Sequence, residues 1–236
     1  MRLKDSTALV TGGTRGIGYA IAQMLTEAGA RVAITGRDEE LLAKAAQELG
    51  ALAIRADVAN EADVLRTYTE VLQGLGHLDI LVNNAGIGTF KPLTEMDLGS
   101  FTSVFATNVT GAMLMGREAA RHFVSRGKGN IVNISSTAGL RGAANGTAYY
   151  ASKFALRGMT ECWRAELRKH NIRVFLVNPS EVLTDFASTA GFDQERENAT
   201  KLQARDLAYI VKAVLEMEDR GFTPELSVFA TNPKDS

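Results

Sequence analysis

Short β-branched runs alternate with longer amphipathic stretches along nearly the whole chain, and few architectures accept that order. Strands are predicted at Thr7–Thr11, Arg31–Thr35, Ala51–Arg55, Asp79–Asn83, Asn130–Ser135, Ile172–Asn178 and Leu226–Ala230. Helices are predicted from about Gly16 to Gly29, over Asp38–Leu49, over Asn60–Leu75 with Asn60 as N-cap, from about Asp97 to Ser125 with a bend near Gly111, over Ala148–His170 and over Arg205–Glu218. Pro179 to Asn198 reads as irregular with helical pieces. Parallel neighbours need crossover connections, so the alternation implies a parallel sheet. Right-handed crossovers then wind it in both directions, with helices on both faces. The runs ALV, VAI, DILV and NIVNI are apolar enough for strands buried on both sides. The expected class is α/β, a doubly wound sheet of about seven strands, and residues 1–236 read as one domain without a linker.

Charge narrows the partners. The 26 basic and 27 acidic residues leave a net charge of -1, so no global field attracts nucleic acid or an anionic membrane. No apolar run approaches the ~18 residues of a membrane span. Met1 to Ser6 is polar and leads straight into a strand, so no signal peptide is expected. Cys162 is the single cysteine, which suits a reducing cytoplasm. His77, His122 and His170 lack metal-ligand spacing, and no metal site is expected. The polar end, Thr231 to Ser236, is expected to fray.

The turn after the first strand reads Thr11-Gly12-Gly13-Thr14-Arg15-Gly16-Ile17-Gly18 and runs into a helix. Glycine permits a sharp turn and close approach of the backbone to a phosphate, and the helix N-terminus offers free N–H groups to an anion. Gly18, one turn in, lets helix and strand pack closely. A tight strand–helix turn without a ligand is the plainer alternative, disfavoured by four glycines within seven positions at the first strand. The second strand ends Ile34-Thr35-Gly36-Arg37, with glycine where an NAD-selective fold places an acid. Arg15 and Arg37 suit a 2′-phosphate, so NADP(H) is expected over NAD(H). The competing reading gives the ribose to Asp38, whose ordinary role is helix N-cap.

Tyr149 and Lys153 are four residues apart and share a helical face. A nearby ammonium stabilises phenolate and draws the tyrosine pKa down from ~10 toward a useful range for proton exchange. Ser136 lies thirteen residues before Tyr149, just past the fifth strand, where its hydroxyl suits a substrate carbonyl.

With these motifs in place, the chain resembles the short-chain dehydrogenase/reductase family from Lys4 to about Ala230, and within it the 3-oxoacyl-[acyl-carrier-protein] reductase-like members. The resemblance rests on TGGTRGIG (11–18), Asp57-Val58, NNAG (83–86), Asn108 in NVTG, NISS (133–136), YYASK (149–153) and Asn178-Pro179 with Thr184. It implies a Rossmann-type fold and hydride transfer between NADP(H) and a carbonyl or secondary alcohol. It implies Tyr149 as general acid/base, Lys153 tuning it and holding the nicotinamide ribose, and Ser136 polarising the carbonyl. Asn108 is implied to kink the central helix and hold a relay water. The cofactor set it implies is Gly12, Thr14, Arg15, Gly16, Ile17, Gly18, Arg37, Asp57, Val58, Asn84, Ala85, Gly86, Asn108, Tyr149, Lys153, Pro179, Val182 and Thr184. Asp57 accepts from the adenine amino group in this scheme, and Thr184 contacts the carboxamide.

Two departures stand out. Ser180 replaces the glycine that usually follows the proline, and serine fits a positive φ less readily. The chain also ends soon after the last strand, which leaves both homodimer and homotetramer open. Substrate contacts are expected from Ile87–Met96, Ala138–Ala148 and Ser180–Asn198, where Phe90, Leu140, Phe186 and Phe192 suggest an apolar pocket for a small carbonyl or alcohol. Two other functions fit the same fold: a catalytically silent dinucleotide sensor, and an extended-type epimerase or dehydratase. The intact Ser136, Tyr149 and Lys153 count against the first, and the short chain and glycine spacing against the second.

Overall fold

The strands fall where the apolar runs place them. The computed structural model describes residues 1–186, 198 and 200–232. Its main sheet comprises β1 (Thr7–Val10), β2 (Arg31–Gly36), β3 (Leu52–Arg55), β4 (Ile80–Asn83), β5 (Gly129–Ile134), β6 (Ile172–Pro179) and β9 (Glu225–Val228). They are ordered β3-β2-β1-β4-β5-β6-β9, and each pairing is parallel. The chain starts at mid-sheet, winds outward to β3 and returns to β4. The winding direction reverses between β1 and β4, and that switch point opens a crevice beyond the carboxyl ends of the strands.

The pleat sorts the core. Ala8 and Val10, Ile80 and Val82, and Val132 and Ile134 point to one face. They meet Ile21 and Leu25 of α1 (Gly16–Glu27), Leu42 and Leu49 of α2 (Glu39–Leu49), and Leu207 and Val211 of α7 (Ala204–Glu216). Their neighbours Leu9, Leu81 and Ile131 point to the other face. There they meet Val64 and Val71 of α3 (Glu61–Leu75), Met115 and Phe123 of α5 (Ala112–Arg126), and Leu167 of α6 (Thr147–Leu167). This period of two explains why the strands read as continuous apolar runs: both faces are covered.

The local signals act as expected at several ends. Asn60 Oδ1 accepts from the N–H groups of Ala62 and Asp63 and starts α3. Asp38 Oδ1 accepts from Leu41 N at 3.0 Å and starts α2. The long central helix begins as α4 (Leu98–Phe105), capped by Asp97. It then passes through one π-helical stretch, Ala106–Gly111, before α5. Near Gly111, where a bend is expected from the sequence, the helix takes this π geometry, and Asn108 sits inside it. A π bulge inserts an extra residue per turn and often marks a functional position.

Three expectations change. Helix α6 ends at Leu167, and Arg168–His170 forms a 3-10 turn. A two-residue parallel ribbon, β7 (Val182–Leu183) with β8 (Leu202–Gln203), stands apart from the main sheet. Ser180 does not occupy the positive-φ region feared for it. Its N–H donates to Val228 O at 2.9 Å, so β9 holds the loop without a glycine. Phe192 and most of the stretch expected to be irregular, 187–197, lie outside the described residues, as do 233–236 of the fraying end. Among the described residues no helix is long and apolar enough to cross a membrane.

Candidate active site

The site grows from the carboxyl end of β1. Thr11 Oγ1 accepts from the N–H groups of both Asn84 and Ala85 at 3.0 Å. Asn84 Nδ2 returns two bonds, to Thr11 O at 3.0 Å and Gly12 O at 3.1 Å. These four bonds lock the glycine turn against the loop after β4. They leave no room for side chains: a Cβ on Gly18 would lie 2.3 Å from both Asn84 Nδ2 and Gly12 O. Gly12 itself has φ +64°, and a Cβ there would approach Ala85 Cα to 3.0 Å. Helix α1 then begins at Gly16, and the side chain of its N-cap, Arg15, makes no capping bond. The first N–H groups of α1 therefore face the crevice without a side-chain acceptor, an arrangement suited to phosphate.

The crevice is a cleft of about 1130 Å³. Arg37, Asp57 and Val58 line it with the glycine loop, as do Ala85, Gly86, Ser136, Tyr149, Lys153, Pro179, Val182 and Thr184. Of the residues expected to bind the cofactor or act in catalysis, Gly18 and Asn108 do not line it, and Leu140, expected in the substrate pocket, does not line it either. Gly18 is buried beneath the turn, and Asn108 lies behind Ile87. The cleft runs from Arg37 and Asp57 past the glycine turn to Ser136, Tyr149 and Lys153, and its volume can hold a dinucleotide.

At the outer end, Arg37 Nη1 stands 3.9 Å from Asp57 Oδ2, and both side chains are largely exposed. That pair is loose and screened by water. Arg15 is exposed as well. Asp38, the alternative ribose ligand, is engaged in capping α2.

At the inner end the strand ends and α6 bring the reactive groups together. Lys153 is 5% exposed and its Nζ donates to Ile134 O at 3.0 Å. The same Nζ lies 5.6 Å from the centre of the Tyr149 ring. Ser136 Oγ accepts from Ala138 N at 3.1 Å, which fixes the hydroxyl at the end of β5. Burial pushes the Tyr149 phenol up to about 12, and a hydrogen bond with Ser136 offsets part of that rise. Burial pushes the Lys153 ammonium down to about 8. The expectation that Lys153 draws Tyr149 below its ordinary value thus does not hold in this state. Low polarity around both groups favours their neutral forms and outweighs the attraction between phenolate and ammonium.

Asn108 is 2% exposed and its amide is fully used. Oδ1 accepts from Ile87 N at 2.9 Å, while Nδ2 donates to Ile87 O at 2.9 Å and Ser152 Oγ at 3.0 Å. Ser152 Oγ donates in turn to Tyr149 O at 2.7 Å. Sequence reasoning passed over Thr11 and Ser152. Thr11 ends the strand before the glycines, and Ser152 adjoins Lys153, so position was the available signal for each.

Known proteins share this construction. The family model described as short chain dehydrogenase matches residues 6–195. A 3-oxoacyl-[acyl-carrier-protein] reductase of Bos taurus is 36% identical over 196 residues, covering 82% of this chain and 83% of that protein. The crystal structure of a 3-ketoacyl-(acyl-carrier-protein) reductase from Brucella melitensis complexed with NADH superposes with a TM-score of 0.90 at 30% identity, covering 97% of this chain and 98% of that one. The closed form of a serine dehydrogenase complexed with NADP+ superposes with a TM-score of 0.91 at 28% identity, covering 98% and 97%. From the glycine turn through β5 and α6, the chain belongs to the short-chain dehydrogenase family of oxidoreductases.

Proposed function

We propose that this chain is an NADP(H)-dependent reductase or dehydrogenase of a carbonyl/secondary-alcohol pair, with residues 1–236 acting as one cofactor-binding and catalytic domain. The observation that carries the reading is the convergence of Ser136, Tyr149 and Lys153 at the inner end of the cleft that the glycine turn begins. A bound nicotinamide cofactor would supply or accept the hydride. Ser136 holds the carbonyl oxygen, and the Tyr149 hydroxyl gives it a proton in reduction and takes one back in oxidation. Lys153 keeps positive charge beside the phenol and binds the nicotinamide ribose. Gly12, Thr14, Gly16 and Ile17 cradle the phosphates, and Val58, Asn84, Ala85 and Gly86 line the adenosine side. Pro179, Val182 and Thr184, which line the cleft near Tyr149, would hold the nicotinamide.

NADP(H) is favoured over NAD(H) because Arg15 and Arg37 are the cations at the outer end and no carboxylate replaces Gly36. The neighbours named above hold one cofactor each, NADH and NADP+. Titration with NADPH and NADH at moderate salt, followed by nicotinamide fluorescence, tests this choice. The phosphate contacts should favour NADPH by about 1.5–3 kcal/mol. A clear preference for NADH would transfer the ribose to Asp38. Turnover in Tyr149→Phe close to wild type would remove the proposed mechanism and favour a silent sensor.

A homodimer or homotetramer is proposed through α4 and α6. Leu98 on α4 is 76% exposed and Phe154 on α6 is 44% exposed, costly positions for large apolar groups on a free surface. Sedimentation of wild type against Leu98→Lys tests the contact. A cytoplasmic location is proposed from the exposed free thiol of Cys162, which a reducing compartment preserves.

A further inference from the structure

Helix α3 does not open as its residues would suggest, and the departure leads back to the cleft. Asn60 is the N-cap, and Asp63 stands three residues later, where the acidic member of a capping box reaches back to the N–H of the cap. That N–H is already taken, because Asn60 N donates to Asp57 O at 3.0 Å. Asp63 reaches past the cap instead, and its Oδ2 accepts from Asp57 N at 2.9 Å. Its Oδ1 accepts from Arg66 Nη2 at 2.7 Å. The same Nη2 donates to Arg55 O at 2.8 Å, at the end of β3. One carboxylate is thus clamped between the last residue of β3 and the residue two further on. The Asp57 N–H, and after it Arg66, hold the Asp63 carboxyl below its ordinary value.

Asp57 is fixed in turn. Its N–H goes to Asp63, its carbonyl accepts from Asn60 N, and its Oδ1 accepts from Ala59 N at 2.9 Å. Oδ2 is the oxygen turned toward Arg37, with Nη1 at 3.9 Å. Asp57 lines the outer end of the cleft beside Ala56 and Val58. Asp38, the other carboxylate lining that end, is engaged in capping α2. With phosphates at the glycine turn and the reacting ring at Tyr149, the outer end is left to the adenosine. A carboxylate only accepts hydrogen bonds, and the donor on the edge of adenine is its amino group.

We propose that Asp63 is a positioning residue for cofactor recognition: without touching the cofactor, it aims the Asp57 carboxylate at the adenine amino group. This role rests on the dinucleotide-binding reading above and adds to it a residue outside the cleft. A group already held in its bound orientation loses less freedom on binding than one that must find it. In Asp63→Asn a single acceptor oxygen faces two donors, Asp57 N–H and Arg66, and the new amide NH2 has neither as a partner.

The test measures dissociation constants, by nicotinamide fluorescence, for NADPH and for its deamino analogue, in which hypoxanthine replaces adenine. NADH and its deamino analogue take their place if the protein prefers NAD(H). Wild type should bind the amino cofactor about tenfold more tightly, the scale of one hydrogen bond to a charged acceptor. Asp57→Ala should abolish that gap. Asp63→Asn should narrow it to about threefold or less by weakening the amino cofactor, with the deamino cofactor unchanged. Arg66→Gln leaves Asp63 charged but free to turn, and should narrow the gap part-way, which keeps the test open should Asp63→Asn fail to fold. Urea unfolding of the same variants separates the alternative. If Asp63 serves only the first turn of α3, its loss lowers stability and leaves the tenfold gap intact in the folded protein, and that result would overturn the positioning role. Equal binding of both cofactors by wild type would overturn it as well, since Asp57 would then not read the amino group. Binding of neither would sink the dinucleotide reading itself, and the role of Asp63 with it.

Discussion

Asn108 Nδ2 lies 3.0 Å from Ser152 Oγ, so a single hydrogen bond joins the π segment of the central helix to the first turns of α6. Ser152 passes the restraint on to Tyr149 O, and Asn108 passes it to both backbone groups of Ile87. Helix α6 and the loop carrying Gly86 are thus registered by one buried amide. In Asn108→Asp an oxygen would replace the donor that faces Ile87 O and Ser152 Oγ. That variant should lose about 2–3 kcal/mol, and Ser152→Ala about 1 kcal/mol, the range for unsatisfied buried groups and for one lost bond. Urea unfolding of the two single variants and the double should show non-additivity, because both changes break the same bond. Strict additivity would show that the two residues do not act through each other.

The outer end of the cleft offers a test with a steric condition attached. Arg37→Ala should weaken NADPH about tenfold and leave NADH almost unchanged, since the guanidinium's present partner, Asp57, is a loose one at 3.9 Å. Conversion to NADH preference by Gly36→Asp alone should fail. A Cβ at Gly36 would lie 2.5 Å from Thr14 Cγ2, so the new carboxylate displaces the glycine turn. Thr14→Ser removes that methyl group and keeps the hydroxyl. Fluorescence titration should find NADH favoured only when Thr14→Ser and Gly36→Asp are combined.

At the amino ends of the central strands, Asp79 gathers Thr7 N at 3.1 Å, His77 Nε2 at 3.0 Å and Arg126 Nη1 at 3.1 Å. Burial raises its pKa, but the Thr7 N–H and the charges of His77, Arg126 and Lys128 more than reverse that, and the carboxyl ends below 3.8. The folded state therefore binds this proton less readily than the unfolded state. Its stabilisation is present above the unfolded value and fades as pH falls through the lower folded one. Asp79→Asn should narrow the difference in acid unfolding between pH 5 and pH 2. An acid transition identical to wild type would show that the cluster contributes nothing.

Much of this was legible because it depends on period and on position at strand ends. The apolar alternation reports the pleat, and Asn60 and Asp38 announce their helices through side chains that bond two or three residues away. Thr11-to-Gly18 reads as a turn because only glycine tolerates the approach of Asn84. The ribbon of Val182–Leu183 with Leu202–Gln203 was not legible, since two-residue strands carry no period. Ser180 misled because β9 supports its N–H from far along the chain. The Tyr149 pKa misled for the same reason. Spacing shows Lys153 one turn away, but Phe90 and Phe186 arrive from distant loops and make the surroundings apolar enough to reverse the shift.

That reversal makes Lys153 a measurable load on stability. Its ammonium is buried and donates to Ile134 O, and burial sets its pKa at about 8 instead of 10.5. Between those values the unfolded chain holds the proton and the folded chain has released it, so stability gains from this group as pH rises. Below pH 8 both states carry the charge and the folded state bears the whole cost, about 3 kcal/mol for a depression of this size. In Lys153→Met that pH dependence disappears. Urea unfolding of the cofactor-free proteins from pH 7 to pH 10 should therefore show wild type gaining on the variant by about 2–3 kcal/mol, whichever is the more stable at neutral pH. The variant should be inactive throughout. Parallel stability curves across that range would mean that the ammonium is solvated in solution, and that its position beside Tyr149 costs the fold nothing.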